Sequence, residues 1–326
     1  MESLIDRYRE RLPVGDDTPI VSLGEGSTPL LAAPRLSDRL GVELYLKWEG
    51  ANPTGSFKDR GMTLAISKAL EAGVTSVICA STGNTAASAA AYAARAGLRA
   101  VVLQPVGAVP AAKLAQAGAL GARVVEVRGS FDEALAVARV LADRGTHILV
   151  NSLNPHRVEG QKTAAFEIVE DLGGAPDVLA LPYGGGGNIR AHARGFAEAG
   201  AGTPMLVAGE AAERRTTAAA AIRIADPAHA EEAGEAVRAS GGTVVSLADD
   251  AILRAWRDLA LLEGVLCEPS SSAGLAALVG AGLKRGARVV CVLTGHGLKD
   301  PDAAARVSAP PVVVDADPDA IAEVSS

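Results

Sequence analysis

Aromatic residues are scarce in this 326-residue sequence, where they make up 3% of the chain. Its cores must therefore be built from Ala, Val, Leu and Ile, and few rings remain for stacking on nucleic-acid bases. No stretch concentrates Lys or Arg, and 31 basic against 38 acidic residues give a net charge of −7. These features argue against nucleic acid or an anionic membrane as a partner.

Apolar runs long enough to span a bilayer are also absent, and the first residues, MESLIDRYRERLPVG, do not resemble a signal peptide. We therefore expect a cytoplasmic protein. The three cysteines, Cys79, Cys267 and Cys291, are odd in number, and each lies in an apolar run. We expect reduced thiols in the core, with neither a disulfide framework nor a metal site.

The length allows about two domains. From about residue 76, short β-branched runs alternate with alanine-rich stretches of helical character: SVICA, TAASAAAYAARAG, RAVVL, AAKLAQAGAL, ARVVEV, FDEALAVARVLADRG and HILV. The alternation predicts a parallel sheet, and the uniformly apolar runs indicate strands covered on both faces. Gly97, Gly121 and Gly145 are placed to end three of the helices.

The same alternation resumes after residue 160. It predicts GQKTAAFEIVEDLG as a helix, DVLAL as a strand, NIRAHARGFAEAG as a helix, PMLVAG as a strand and ARVVCVL as a closing strand. Between about 210 and 248 we expect helices and loops without defined boundaries. Beyond Pro310 we expect a loosely held tail.

Lysine is also scarce, with seven residues against twenty-four arginines, and one lysine stands in an unusual context. Lys58 lies in NPTGSFKDRGM, after a turn-forming Asn-Pro-Thr-Gly and before a helical stretch. A lysine that reacts through its neutral amine needs a partly desolvated position near cationic or dipolar groups, which a helix start offers. The local sequence fits a solvated lysine at a helix start equally well, so other motifs must decide.

A second motif, Ala80-Ser81-Thr82-Gly83-Asn84-Thr85, separates SVICA from the next helical stretch. Parallel α/β sheets bind ligands at this edge. The hydroxyls, the amide and the free backbone N–H groups suit a carboxylate, although Ser and Asn also favour simple helix capping.

Glycine is abundant in a third motif, Tyr183-Gly184-Gly185-Gly186-Gly187-Asn188, which follows DVLAL. Four glycines let successive N–H groups surround one anion, which predicts a phosphate cradle, although a lone glycine run also fits an ordinary loop. Neither the dinucleotide nor the P-loop spacing is present. A fourth motif, Leu293-Thr294-Gly295-His296-Gly297-Leu298, closes the last strand with a hydroxyl and two glycines.

In this order, NPTGSFKDRG, STGNT, GGGGN and LTGHG resemble the motifs of the fold-type II pyridoxal-phosphate enzymes, the tryptophan-synthase-β-like group. Within that group the sequence is most similar to the threonine synthases. The similar segments are GEGSTPL at 24–30, NPTGSFKDRGM at 52–62, ASTGNTAAS at 80–88, NSLNPHRVEGQKTAAFEI at 151–168, AIRI at 221–224 and VLTGHGLKDPD at 292–302. The resemblance covers about residues 20 to 305.

The resemblance implies that the cofactor is pyridoxal 5'-phosphate and that Lys58 carries it as a Schiff base. It implies that Asn84 contacts the pyridine 3-hydroxyl and that Thr294 faces the pyridine nitrogen. A hydroxyl cannot hold that nitrogen protonated, so the ring is a milder electron sink. The other implied residues are Gly184, Gly185, Gly186, Gly187 and Asn188 for the cofactor phosphate and Ser81, Thr82 and Thr85 for the substrate carboxylate.

Asn151, Ser152 and Arg157 lie in a stretch that resembles the threonine synthase pocket for the phosphate of O-phosphohomoserine. Arg157 offers the planar fork that such an anion prefers. Dehydratases and cysteine synthases act on shorter or uncharged leaving groups and would not need this arginine. The alternative for Arg157 is a salt bridge at a helix start.

The sequence departs from the threonine synthase pattern in two places. Gly185 replaces an Asn of the phosphate loop, where backbone amides are expected to bind the anion in any case. Around AIRI, Ala220, Ala225 and Asp226 replace Thr, Gly and Asn. These changes leave open a paralogue with a different substrate.

The sequence thus predicts a pyridoxal-phosphate-dependent carbon–oxygen lyase with two open, mostly parallel α/β sheets. We expect a smaller domain over 50–150, a larger one from 1–49 plus 151–326, and the cofactor in the cleft between them. The leading function is conversion of O-phospho-L-homoserine and water to L-threonine and phosphate by γ-elimination and β-addition, in a homodimer.

Two alternatives remain at this point. One is a related enzyme that performs β-elimination or β-replacement on serine, threonine or an activated serine. The other is a catalytically silent binding protein, which would need to lack the lysine or the cofactor loop. Neither feature is missing.

Overall fold

A computed structural model describes residues 2–107 and 111–325. The strands are β1 (Leu30–Ala32), β2 (Glu43–Trp48), β3 (Ser76–Ala80), β4 (Arg99–Pro105), β5 (Arg123–Val127), β6 (Ile148–Leu149), β7 (Val178–Pro182), β8 (Met205–Ala211), β9 (Thr243–Leu247) and β10 (Arg288–Leu293). The helices of the N-terminal half are α1 (Leu4–Arg7), α2 (Pro34–Leu40), α3 (Lys58–Glu71), α4 (Asn84–Arg95), α5 (Ala111–Ala119), α6 (Phe131–Asp143) and α7 (Pro155–Gln161). Those that follow are α8 (Thr163–Leu172), α9 (Gly187–Ala199), α10 (Ala230–Ala239), α11 (Asp249–Glu263), α12 (Ala273–Leu278), α13 (Pro301–Val307) and α14 (Pro318–Ser325).

The strands form two separate sheets. One has six strands in the order β1-β2-β10-β7-β8-β9, and the other has four in the order β5-β4-β3-β6. The smaller sheet is parallel throughout, and the larger is parallel except for β1, which runs antiparallel to β2. The predicted fold of two open, mostly parallel α/β sheets is therefore confirmed.

Strands covered on both faces, as the sequence predicts, lie at the centre of each sheet, but the prediction is wrong for β5, an edge strand with no buried residue. Every residue of β3 and of β7 is buried. The alanine-rich α4 packs against the smaller sheet and buries most of its length, because small side chains allow close approach of helix and sheet. Within the residues described, no helix has the length and apolar character needed to cross a membrane.

Several local predictions are confirmed. Gly97, Gly121 and Gly145 follow α4, α5 and α6 with positive φ angles of 68°, 83° and 73°, which a glycine adopts without strain. Cys79, Cys267 and Cys291 are buried free thiols.

The prediction of one helix over GQKTAAFEIVEDLG is wrong, because the helix is interrupted at Lys162, between α7 and α8. The Thr163 hydroxyl donates to the carbonyl of Gly160 at 2.7 Å, a side-chain contact that bends helices. The region from 210 to 248, where no boundaries were predicted, contains β9, α10 and a short 3₁₀ turn at Ala220–Ile222. The tail beyond Pro310 is largely exposed and includes α14.

In the larger sheet, the parallel neighbours β7 and β10 end at a common edge and bring two of the motifs together, and the third motif follows β3 of the smaller sheet. The loops after β3, β7 and β10 carry STGNT, GGGGN and LTGHG. The segment before α3 is held to the loop after β10 by two backbone hydrogen bonds, from Phe57 to the Thr294 carbonyl at 3.0 Å and from His296 to the Gly55 carbonyl at 2.9 Å. Lys58 is thereby fixed beside the end of β10.

Candidate active site

Lys58 is the first residue of α3 and is only partly exposed. Its Nζ lies 4.2 Å from the centroid of the Phe57 ring. Desolvation and, to a lesser extent, the Arg157 charge lower the pKa of Lys58 to about 7, against the opposing effect of the Glu268 carboxyl. A substantial fraction of this amine is therefore neutral near pH 7, unlike the solvated lysine that the local sequence also allowed.

A buried ion cluster anchors the start of α3. Arg60, 1% exposed, donates to the carboxylates of Glu49 and Glu167, with its Nε 2.7 Å from Glu49 Oε2 and its Nη2 2.6 Å from Glu167 Oε2. The Lys47 Nζ lies 2.9 Å from Glu167 Oε2. Burial alone would raise the pKa of Glu167, but the Arg60 and Lys47 charges outweigh it and lower this pKa to about 2.

The glycine loop after β7 forms an open nest of amides. None of the five N–H groups of residues 184–188 has a hydrogen-bond acceptor in the part of the chain that the structure describes. Gly186 has a φ of +82°, and a Cβ there would lie 2.6 Å from the His229 carbonyl oxygen. The buried Nδ2 of Asn188 also lacks a partner. Successive free donors at the start of α9 fit an anion such as a phosphate.

STGNT ends β3 and begins α4. The Ser81 hydroxyl accepts from the amides of Gly83 at 3.3 Å and Ala86 at 3.2 Å, so the helix-capping alternative holds for this residue. Thr82 and Thr85 are partly buried, and their hydroxyls have no hydrogen-bond partner among the described residues. With the free N–H groups of the first helical turn, they leave an open anion-binding surface.

Thr294 is 6% exposed, and its hydroxyl lies 2.9 Å from the Ser271 hydroxyl. The Ser271 oxygen also accepts from the Gly295 amide at 2.9 Å. Ser271 was not predicted. It lies in a 3₁₀ turn far from any strand-end motif in sequence, so only the fold shows that the two hydroxyls pair.

Glu268 was also missed. Its Oε1 accepts from the Asn84 Nδ2 at 2.9 Å, so it links STGNT to the LTGHG side of the site. Burial raises the pKa of Glu268 to about 7, although Lys299, Asn84 and Lys58 all favour its ionised form. The sequence signal was a single charged residue within the otherwise uncharged run VLCEPSSSAGLAAL.

Asn151 and Ser152 lie where β6 leads into α7, and each makes a contact that the sequence did not predict. The Asn151 carboxamide bridges the backbone of Ala80, accepting from its N–H at 2.9 Å and donating to its carbonyl at 2.8 Å. It therefore braces the end of β3 and keeps one N–H for other contacts. The Ser152 carbonyl accepts from the His229 Nε2 at 3.0 Å. If residue 187 carried a Cβ, that atom would lie 3.8 Å from the Ser152 Cβ.

Arg157 is 1% exposed and lies on α7 against α3. Its Nη1 donates to the Val150 carbonyl at 2.7 Å, whereas Nε and Nη2 have no hydrogen-bond partner in the described ranges of the chain. A Cβ at Gly61 would lie 2.8 Å from Arg157 Nε, so only glycine at this position of α3 allows the close approach. Among the residues described, no carboxylate pairs with Arg157, and burial lowers its pKa to about 10.

The departures around AIRI lie on an exposed segment. Ala220, Ala225 and Asp226 are all exposed. From this segment, atoms of Ile222 and Ile224 would lie 3.3 Å from a Cβ at Gly184, and the Ala221 carbonyl oxygen would lie 3.4 Å from it. The three substituted positions therefore flank the residues that contact the glycine loop.

Comparison with known families identifies one match over most of the chain. The profile of the family described as "Pyridoxal-phosphate dependent enzyme" matches residues 21–295. Curated relatives include a threonine synthase of Synechocystis sp., 50% identical over 97% of this chain and 88% of its own length. Another is a threonine synthase of Halalkalibacterium halodurans, which is 48% identical over 92% of this chain and 90% of its own length. The threonine synthase of Methanocaldococcus jannaschii is 45% identical over 95% of this chain and 84% of its own length.

Solved structures share the fold. Maize serine racemase superposes with a TM-score of 0.76 over 91% of this chain and 94% of its own, at 22% identity. The processed form of threonine deaminase isoform 2 from Solanum lycopersicum superposes with a TM-score of 0.72. The match covers 86% of this chain and 83% of that protein, at 26% identity.

Proposed function

Because this chain belongs to the pyridoxal-phosphate dependent enzymes, and among them to the threonine synthases, we propose that it converts O-phospho-L-homoserine and water to L-threonine and phosphate. One proton leaves Cα and another leaves Cβ, and the Cγ–oxygen bond breaks with its electron pair going to the phosphate. Water then gives its hydroxyl to Cβ. Of the three protons released from Cα, Cβ and water, one goes to Cγ, one returns to Cα and one goes to the departing phosphate.

The observation that carries the choice of substrate is the unpaired guanidinium of Arg157. A buried arginine with two free donors is costly unless an anion reaches it. Its free Nε and Nη2 are adjacent and form the planar fork that binds two oxygens of a phosphate. The Arg157 charge also lowers the pKa of Lys58, which supports a position of the guanidinium on the same side of the site as the amine.

The residues present fit pyridoxal 5'-phosphate. The free amides of residues 184–188 and the unpartnered Asn188 Nδ2 suit its phosphate, and Lys58 supplies an amine with a lowered pKa. We assign Asn84 to the pyridine 3-hydroxyl and the Thr294 hydroxyl, held by Ser271, to the pyridine nitrogen. When bound, the cofactor supplies an electron sink for negative charge that develops on the substrate carbons.

Lys58 is the general base and acid of the proposed reaction. Because its pKa lies near 7, the amine can accept a proton from Cα or Cβ and return it without a large free-energy penalty. Thr82, Thr85 and the amides at the start of α4 orient the substrate carboxylate, with Ser81 shaping that turn. Arg157 and Ser152 hold the leaving phosphate, and Asn151 keeps the end of β3 in place.

The direct test compares substrates on the purified holoenzyme. O-phosphohomoserine, O-phosphoserine, O-acetylserine, homoserine and threonine are incubated separately, with phosphate release and chiral amino-acid analysis as readouts. Threonine with an equal amount of phosphate is expected from O-phosphohomoserine alone. Faster formation of pyruvate, 2-oxobutyrate or a β-substituted alanine from another substrate would assign the enzyme to β-elimination or β-replacement instead.

We also propose a division into a smaller unit over 50–150, which contains the four-stranded sheet, and a larger unit with the six-stranded sheet. The site lies where loops of the two sheets meet. A cytoplasmic location is supported by three buried cysteines without disulfides. We propose a homodimer, as is common in this group, and light scattering during size-exclusion chromatography measures it.

A further inference from the structure

Glu268 is a buried carboxyl that the proposed reaction does not use. It is 6% exposed and lies between α11 and α12, immediately before a proline. Its Oε1 accepts from the Asn84 Nδ2 at 2.9 Å, although the two residues are 184 positions apart in sequence. This contact joins the glutamate to the residue assigned to the cofactor ring.

The Glu268 residue is anchored by its backbone and packs against Gly295. Its backbone N–H donates to the Gly295 carbonyl at 3.0 Å, and its carbonyl accepts from the Ser271 N–H at 2.9 Å. A Cβ at Gly295 would overlap the Glu268 carboxylate. The backbone of Glu268 is therefore joined to the loop that carries Thr294, and glycine at 295 leaves room for the carboxylate that contacts Asn84.

Charged groups face Glu268 from several elements. Lys58 acts on it from α3, and Lys299 and Asp300 act from the segment after β10. Lys299 is itself bound to the Thr54 carbonyl at 3.0 Å and to the Gln116 Oε1 at 2.6 Å, so it is fixed in position. The charge of Glu268 acts in turn on Lys58 and raises its pKa.

We propose that Glu268 is a positioning residue whose carboxyl orients the Asn84 carboxamide towards the cofactor and whose negative charge, when present, favours the protonated form of the Lys58 nitrogen. The inference rests on the proposed placement of the cofactor beside Lys58 and Asn84, but it is independent of which substrate is used.

Hydrogen-bond chemistry explains the link between the proton and the orientation. An ionised carboxylate only accepts, so it must face the Asn84 Nδ2, which leaves one N–H and the Oδ1 for the cofactor. A protonated Glu268 can donate instead and can face the Oδ1, which turns both N–H groups towards the cofactor. The pKa of about 7 lets both states exist near neutral pH.

The test uses the holoenzyme and the pH dependence of the cofactor absorption spectrum. Glu268→Gln keeps the volume and an acceptor for Asn84 but removes the charge and the proton. We expect the absorption transition of the cofactor bound to Lys58 to move to lower pH by about 1 unit, because loss of a negative charge disfavours the protonated nitrogen. We also expect kcat to fall while KM stays within about twofold.

Two variants make the comparison specific. Glu268→Asp retains the charge with a shorter reach, so its spectral transition should stay near that of the wild type while kcat is reduced. Glu235→Gln removes one exposed carboxylate on α10 and should leave both the spectrum and the rate unchanged. Should Glu268→Gln fail to fold, a displaced transition in Glu268→Asp would by itself contradict the proposed role of the charge.

A Glu268→Gln holoenzyme with the wild-type transition would overturn the proposal and leave Glu268 a structural residue. The spectrum needs no substrate, so this result is distinguishable from a failure to make threonine from O-phosphohomoserine. Loss of threonine formation in the wild type would refute the proposed substrate and leave the spectral comparison valid.

Discussion

The backbone N–H of Phe57 donates to the carbonyl oxygen of Thr294 at 3.0 Å. This bond joins the segment before α3 to the end of β10, 237 residues later, and sets Lys58 beside the hydroxyl assigned to the cofactor ring. The backbone that carries the catalytic lysine is therefore positioned by main-chain contacts. Substitutions of residues that hold the fold should change stability, whereas substitutions of residues that contact ligands should change ligand binding or rate.

Gly186→Ala should weaken cofactor binding strongly. The φ of +82° strains any other residue, and a Cβ would lie 2.6 Å from the His229 carbonyl oxygen. Such strain costs about 1–3 kcal/mol, so the dissociation constant for pyridoxal phosphate should rise roughly 5- to 150-fold. Equilibrium dialysis of the cofactor measures it.

Gly185→Ala is the matched control, because the nearest atom to its Cβ would be Ile224 Cδ1 at 3.6 Å and its φ is not positive. Its affinity for the cofactor should stay close to that of the wild type. An equal loss of cofactor affinity in Gly185→Ala and Gly186→Ala would contradict the geometry of the loop.

Glu167→Gln should destabilise the fold by about 3–5 kcal/mol, because it leaves the buried Arg60 charge partly uncompensated. The folded-state pKa of Glu167 is lowered from 4.5 to about 2, so its ionised form stabilises the protein fully above about pH 5. That contribution is lost as the pH falls through 2. Urea unfolding at pH 7 and at lower pH measures the difference between the variant and the wild type.

Glu170→Gln provides the control for that cluster. Glu170 also pairs with an arginine, Arg7, but its side chain is 45% exposed. An exposed ion pair contributes at most about 1 kcal/mol. If Glu170→Gln lowered the free energy of unfolding more than Glu167→Gln does, the importance of burial would be contradicted.

How far the sequence predicts this protein depends on the range of the interactions. β3, α4 and Gly97 follow from local periodicity and from glycine's tolerance of a positive φ. Lys58 at the start of α3 was predictable because its flanking turn and helix are local. The interruption at Lys162 was not, because it involves a competing contact of the Thr163 hydroxyl that apolar spacing does not encode.

The site shows the same limit. Each strand-end motif could be found by itself, but the contact of Asn84 with Glu268 depends on sheet order and on the packing of two distant segments. The bridge between Asn151 and the Ala80 backbone likewise joins a residue to a strand 71 positions away. Sequence periodicity places residues on elements, and it does not say which loops of separate sheets touch.

Lys58 should react with an amine-selective label near neutral pH. Desolvation and the Arg157 charge lower its pKa to about 7, so the neutral amine, which is the reactive form, predominates above that pH. In cofactor-free protein, labelling mapped by peptide mass spectrometry should give a midpoint near pH 7. The exposed Lys284 serves as the internal reference, and equal profiles for the two lysines would contradict the desolvated environment.

Arg157→Gln should reduce kcat/KM for O-phosphohomoserine by roughly 30- to 900-fold, which corresponds to a loss of about 2–4 kcal/mol in transition-state binding. The wild-type Nε and Nη2 have no partner among residues 2–107 and 111–325, so the substrate phosphate is the group they are expected to bind. That remote contact aligns Cα and Cβ with Lys58, so homoserine should fail in rate as well as in affinity.

Arg157→Lys keeps the charge but loses the planar fork, and it should recover only part of the rate. Because loss of a positive charge also raises the pKa of Lys58, the labelling midpoint of Lys58 should move to higher pH in Arg157→Gln and stay lower in Arg157→Lys. Unchanged kcat/KM in both variants would show that another group binds the leaving phosphate.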